Sequence, residues 1–364
     1  MDAFKLAEFT APDFSGTPFT DAPEAKLEPA PFDTVAPDHY HAMSIFPEYF
    51  HIGGKWLLAE ESRMDCVAVF EENRICVREF RHLRKGDLVI VGRTEKAEEG
   101  IFVHIRGFSH EDTQSSDAFA FRQGRSRETA FSMDYDFLYK LLKYDRDNGH
   151  IVWVLGPACA FDSDARAAFS KLVQNGYVDA LLAGNALAVH DLEGAYLQTA
   201  LGQDIYTQKI IPNGHYNHLD TINRVRSYGS IPVFIKEEGL QGGIIASCVE
   251  KNIPVVLVGS VRDDGPLPEV YANVYEGQDA MRIFTGQATT VICLATTLHT
   301  IAAGNMTPSF RVMPGNVIRE VYFYTVDISE FAVNKLSDRG SLSAKGIVTN
   351  VQDFIVTLSK GLGL

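Results

Sequence analysis

From residue 131 onward, short apolar runs alternate with stretches whose apolar residues recur at helical spacing, and this alternation narrows the choice of fold more than any other feature. "HIVWVLG" precedes "SDARAAFSKLVQNG", and "VDALLAG" precedes "NALAVHDLEGAYLQTALG"; "PVVLVGS", "TTVICLA", "IREVYFYTVD" and "KGIVTN" follow, each leading into helical or loop sequence. Such runs suit strands covered on both faces. An α/β domain with a mainly parallel sheet is therefore expected over residues 131–364. The run "IPVFIKEEG" fits either period and is read as helix.

The pattern upstream differs. From Trp56 to Phe108, "KWLLAE", "CVAVFEE", "RICVREF", "DLVIVGR" and "GIFVHIRGF" are separated by "ENR", "RKGD" and "KAEEG", the signature of antiparallel strands with tight turns. A small β-rich domain is expected over 41–130. Residues 1–40 hold six of the fifteen prolines. Proline lacks an N–H and fixes φ, which excludes helix or central strand there and leaves an extended arm.

Composition removes several function classes. With 46% hydrophobic and 22% charged residues the chain is globular. The net charge of -14, without a basic block interleaved with aromatics, argues against nucleic acid. The amino terminus shows no signal or transit pattern and no stretch is long enough to span a bilayer, so a cytoplasmic protein without membrane contact is expected. Five cysteines, none in a C-x-x-C pair, exclude a disulfide framework and a zinc knuckle. Cys66 is read as a core residue, with a site thiol as the alternative.

G-x-G-x-x-G, the P-loop pattern and H-E-x-x-H are all absent. The chain offers instead polar or glycine-bearing turns where expected strands end, the edge at which open α/β sheets bind ligands. In "AGNA" (Asn185, Ala186) and "AGNM" (Gly304, Asn305, Met306), glycine admits close backbone approach and asparagine supplies donor and acceptor; either pair also serves as a plain turn or cap. Asp327 closes "YFYTVD", where a dinucleotide fold puts its ribose-binding carboxylate, and an aspartate there could equally cap the next helix. "GSVRDDGPLP" gathers Arg262, Asp263 and Asp264, suited to a zwitterionic substrate or to a solvated salt-bridge turn. "GHYNHLDTINRVRSYG" contributes His215 and His218 beside Asn217, which suggests proton handling. No third metal ligand is evident, so no metal is expected. His190 and His299 are read as satisfied interior histidines.

Taken together, "LLAGNALAVHDLEG", "GHYNHLDTINRVRSYGSI", "VVLVGSVRDDGPLPEVY", "TTLHTIAAGNMTPSF" and "VDISEFAVNKLSDRGS" resemble the ornithine cyclodeaminases of the archaeal type, the family of the lysine-oxoglutarate reductase/saccharopine dehydrogenase conserved region. The similarity takes in "FPEYFHIGGKWLLAEESRMDC" and covers nearly everything after the arm. It implies a Rossmann-like, deoxyhypusine-synthase-like domain without the usual glycine fingerprint, and NAD used catalytically. On matching positions Asn185, Ala186, Asp264, Gly304, Asn305, Met306, Asp327, Asn350 and Val351 would line that cofactor. Some members follow an arginine dihydrolase; about 130 residues precede the nucleotide domain here, too few for such a half, so that activity is not expected.

The resemblance further implies conversion of L-ornithine to L-proline and ammonia by a redox-neutral hydride cycle, in a homodimer or homotetramer. By chemical type and motif position, His218 or His215 would be the base, Arg262 would meet the substrate carboxylate and Asp263 a substrate ammonium. Two other classes stay open: an amino-acid or saccharopine-type dehydrogenase that releases NADH, and an NAD-dependent sensor without catalysis.

Overall fold

A computed structural model of the chain describes residues 4–108, 132–261, 266–337 and 341–364. In chain order the first strands are β1 (Lys26–Pro29), β2 (Glu48–Ile52), β3 (Lys55–Leu58), β4 (Cys66–Glu71), β5 (Arg74–Glu79), β6 (Leu88–Val91) and β7 (Ile101–Val103). Next come α1 (Ser132–Asn148), β8 (Ile151–Leu155), α2 (Ser163–Gln174), β9 (Ala180–Gly184), α3 (Asn185–Leu197), β10 (Thr199–Ala200), β11 (Gln203–Asp204), α4 (His215–Tyr228), α5 (Ile231–Glu237) and α6 (Ile244–Glu250). The chain continues through β12 (Val255–Val258), β13 (Val270–Tyr271), α7 (Val274–Thr285), β14 (Thr290–Leu294), α8 (Thr297–Met306), β15 (Phe310–Met313) and β16 (Val317–Glu320). It closes with β17 (Tyr322–Asp327), α9 (Glu330–Ser337), β18 (Ser343–Val348) and α10 (Val351–Leu362). Among the described residues no helix is long and apolar enough to cross a membrane.

The chain forms two compact units. The first holds the residues up to 108 together with Asn305–Tyr322 and 341–343. It contains an antiparallel sheet in the order β1-β6-β4-β5, a second in the order β3-β2-β7, and the β15-β16 hairpin. Alternate residues of these strands, among them Phe50, Cys66, Ala68, Ile75, Ile90 and Ile101, form one buried cluster, so Cys66 is a core residue. The proline-rich segment is not wholly irregular: β1 pairs Lys26 with Val91 and Pro29 with Leu88. It lies at a sheet edge, where a missing N–H is tolerated.

The second unit is built on a seven-stranded sheet in the order β13-β12-β9-β8-β14-β17-β18. Its β8-β9, β9-β12, β12-β13 and β8-β14 pairs are parallel. The fold is Rossmann-like α/β. Strands β8 and β14 are buried at all five positions, as their uninterrupted apolar sequences require. Trp153 is fully buried on β8 and keeps its polar end satisfied by donating Nε1–H to the Tyr177 carbonyl at 2.8 Å. Helix α2 starts where Asp162 accepts the Ala165 N–H at 2.8 Å, and it packs against α6 and α10. "IPVFIKEEG" is helical, as α5.

One expected strand divides. "IREVYFYTVD" breaks at Val321, whose N–H donates to the Ser309 carbonyl at 3.0 Å. Residues before the break pair antiparallel with β15, and those after it enter the seven-stranded sheet. The charged pair Arg319-Glu320 stands just before the break, where the chain changes partner.

Candidate functional site

Strand order decides where the second unit can bind a ligand. From β8 the chain lays down β9, β12 and β13 on one side, then returns to the other with β14, β17 and β18. The order therefore reverses between β8 and β14, the place at which open α/β sheets bind ligands outside the carboxyl ends of their strands. The turns at this point touch closely. A Cβ on Gly156, after β8, would stand 1.9 Å from the Ala295 carbonyl oxygen after β14. A Cβ on Gly184, at the end of β9, would stand 2.9 Å from His299 Cε1. These glycines are needed for the approach of the turns and of the imidazole.

The sequence-derived candidates fall around this edge and beyond it. Asn185 and Ala186 are the first residues of α3, so the turn after β9 ends in the free N–H groups of a helix N-terminus, a favourable place for an anionic group. The Asn185 side chain is buried and its Oδ1 accepts the Leu267 N–H at 3.0 Å. Its carbonyl oxygen therefore holds the loop after β12.

Asp327 ends β17, and its Oδ1 accepts the Ser329 N–H at 2.8 Å, which orients the carboxylate at the start of α9 and leaves Oδ2. Asn350 caps α10, accepting from Gln352 N at 2.8 Å and Asp353 N at 3.3 Å, and Val351 is the buried first residue of that helix. Gly304, Asn305 and Met306 form the last turn of α8, about two turns on from its start. Asn305 Oδ1 is buried without a partner among the described residues. Arg262, Asp263 and Asp264 lie outside the described residues.

The two histidines of α4 separate. His215 is exposed at its first position, with its ring 4.3 Å from that of Tyr216. His218, one turn later, stacks on His190 of α3 at 4.9 Å with 29° between the rings. Beside both lies Glu193, completely buried. Its Oε2 lies 3.2 Å from His190 Nδ1 and 4.0 Å from His218 Nδ1, and its Oε1 accepts the Thr199 hydroxyl at 2.8 Å. Asn217 Nδ2 donates to that hydroxyl oxygen at 2.9 Å. The Phe161 ring meets His190 edge to face at 5.3 Å.

His190 is buried and partnered by Glu193, as expected of an interior histidine, whereas His299 is half-buried rather than interior. Glu193 was not singled out from the sequence. Its signal was the His-x-x-Glu spacing from residue 190, which puts both side chains on one helix face. With His218 it places three donor atoms within 4.8 Å, a grouping also open to a metal ion.

Comparison with known proteins bears on this arrangement. Residues 138–358 match the family described as arginine dihydrolase ArgZ-like, C-terminal, Rossmann fold, and residues 47–129 match the first region of the same C-terminal part. The ornithine cyclodeaminase of Methanocaldococcus jannaschii is 36% identical over 95% of this chain and 80% of its own length. The crystal structure of a conserved LOR/SDH protein from Methanococcus maripaludis superposes with a TM-score of 0.84 at 34% identity, covering 94% of this chain and 98% of that one. The bifunctional arginine dihydrolase/ornithine cyclodeaminase AgrE of Nostoc is 34% identical over 94% of this chain, which spans 47% of that protein. AgrE has been solved as a ternary complex with ornithine and NAD+, related to this chain by a TM-score of 0.59 at 32% identity over 94% of this chain and 46% of that one. The chain thus belongs to the family of the archaeal ornithine cyclodeaminases and the ArgZ-like C-terminal region.

Proposed function

We propose that this protein is an NAD-dependent ornithine cyclodeaminase, an ammonia-lyase that converts L-ornithine to L-proline and ammonia without net oxidation. The observation that carries the reading is the strand-order reversal between β8 and β14, flanked by the α3 N-terminus after β9 and by Asp327 after β17, the two features a dinucleotide needs. The residues present fit NAD. N–H groups at Asn185 and Ala186 suit the pyrophosphate, and the Asp327 carboxylate suits ribose hydroxyls. Asp264, Gly304, Met306, Asn350 and Val351 complete the proposed cofactor-binding set.

NAD, when bound, accepts hydride from the substrate α-carbon and later gives it back to the cyclised product. The chain's own groups bind the substrate and move its protons. In the proposed assignment His218, or His215 one turn away, takes the proton from the α-amino group, Arg262 holds the carboxylate and Asp263 the distant ammonium. The δ-amine then closes on the α-carbon, and the nitrogen that leaves as ammonia takes up the proton that the base has held. Since the reaction ends at the oxidation level at which it began, the cofactor stays with the protein. We further propose that the active form is a homodimer or homotetramer.

The experiment is anaerobic incubation with ornithine and substoichiometric NAD, following proline, ammonia and NADH absorbance together. Equal proline and ammonia, many per NAD and with no lasting NADH, is the expected result. NADH accumulating in step with ammonia would replace this reading by a dehydrogenase, and tight NAD binding without turnover on any diamino acid would leave the sensor.

A further inference from the structure

Glu193 is a carboxylate removed from water, and the described structure surrounds it with only one class of group able to balance its charge. Its oxygens meet the Thr199 hydroxyl and the imidazoles of His190 and His218. A buried carboxylate needs hydrogen-bonding or charged partners. The two imidazoles beside this one stack at 4.9 Å. The side chain of His190 is 7% exposed and that of His218 is 32% exposed, so His218 is the ring that can exchange a proton with a substrate.

The charged groups on the neighbouring elements are otherwise engaged or exposed. Arg166 of α2 is closed on Asp191 of α3, and Arg224 of α4 on Glu238 after α5. His215 and Asp220 on α4 are exposed. Asn217 ties the first turn of α4 through Thr199 to the same carboxylate, so the position of His218 depends on it.

We propose that Glu193 is the positioning residue for His218, holding its ring orientation and stabilising its protonated form, with His190, Thr199 and Asn217 fixing the carboxylate. This rests on the ornithine reading for its chemistry. The proton released from the α-amino group as hydride leaves the α-carbon moves to His218, giving an imidazolium paired with ionised Glu193. It passes to the departing nitrogen as the δ-amine carbon–nitrogen bond forms and the α-amine bond breaks, so the proton is borrowed and returned within one turnover. The arrangement generalises the base-and-orienter pair of nucleophilic enzymes, here serving an amine.

The test compares wild type, Glu193→Gln, His218→Gln and the double variant. Measured quantities are kcat and KM for ornithine against pH, NAD affinity, and the His218 titration followed by nitrogen-15 NMR. Expected for Glu193→Gln are a kcat lower by about 100-fold, NAD affinity within about twofold, and an acid limb of kcat/KM moved about one unit to lower pH. The direction follows from removing the negative charge that favours imidazolium. The double variant should be no slower than His218→Gln.

An unchanged pH profile, or losses that multiply in the double variant, would overturn the assignment. Wild type inert toward ornithine would instead defeat the functional reading, and the NMR titration would still decide: His218 titrating identically in wild type and Glu193→Gln overturns the pairing. Thr199→Val, which removes the hydroxyl donor but keeps the charge, tests the network if Glu193→Gln does not fold; it should lower kcat, and wild-type kinetics there would overturn the network.

Discussion

Arg166 Nε donates to Asp191 Oδ1 at 2.8 Å, and both side chains are withdrawn from water. The pair does more than cancel charge. Arg166 also reaches the Asp191 carbonyl at 2.8 Å, and the Asp191 carboxylate accepts the Ile244 and Ile245 N–H groups at 3.0 and 2.7 Å. One aspartate therefore satisfies the start of α6 and joins α2, α3 and α6. Asp191→Ala should lower unfolding free energy by about 3–5 kcal/mol, since it strands a buried guanidinium and two donors. Arg166→Leu combined with Asp191→Leu should recover part of that loss. Urea unfolding followed by circular dichroism measures both, and a loss under about 1 kcal/mol for the single variant would mean the pair is replaceable.

Gly184 marks where α3 begins beside His299. Its φ of -84° is open to any residue, so Gly184→Ala tests the close contact alone. The added methyl must displace the imidazole. Ornithine turnover is expected to fall at least about tenfold, with thermal stability lowered only by a few degrees. Unimpaired turnover would mean that the position of the His299 ring is not needed for the reaction.

Asp327 holds a structural bond and a proposed cofactor bond, and a substitution can separate them. Asp327→Ser keeps a short oxygen for the Ser329 N–H but removes the charge. NAD affinity measured by titration calorimetry should weaken about 10- to 100-fold, the loss of a charge-assisted pair to ribose. NADP, rejected by a carboxylate at that place, should bind the variant relatively better.

Burial pushes the Cys159 thiol up to about 12, and it raises Cys248 and Cys293 as well, Asp191 adding to the effect at Cys248. A raised thiol pKa means less thiolate at any working pH. At pH 8 an aromatic disulfide reagent should find at most one fast thiol, the half-buried Cys76, and all five cysteines only after denaturation. Fast reaction at Cys159 in the native protein would contradict its burial.

Both oxygens of Glu193 already have partners in the protein, which suits a proton better than a metal ion. Dialysis against a strong chelator should leave ornithine turnover within about twofold. Activity lost to the chelator and restored by zinc would turn the His190, Glu193, His218 group into a metal site.

How far the sequence could be read depended on whether each signal was local. Strands β8 and β14 were legible because "IVWVL" and "TVICL" leave no polar face to expose. The turn at Gly184-Asn185 was legible as the end of one element and the start of another. β1 was hidden by prolines that exclude a central strand but permit an edge, and the break at Val321 because the residues on both sides of it suit a strand and only the partner changes. Glu193 was hidden because the partners that give it meaning, Thr199 and His218, come from β10 and α4 and meet it only when the chain has folded.

The first unit has a consequence for how the chain comes off the ribosome. Its β15-β16 hairpin is bound in by the Ser309 N–H, which donates to the Ser62 carbonyl at 2.9 Å, and the segment ends at Tyr322. Most of the second unit's sequence is therefore synthesised before the first unit has all of its strands. An amino-terminal domain ordinarily finishes folding while the rest is still being made; here the first unit gains its last hairpin only after residue 304. Its first-made strands pair among themselves, but they must wait for the segment that joins Ser309 to Ser62, and a fragment cut near residue 130 would lack it.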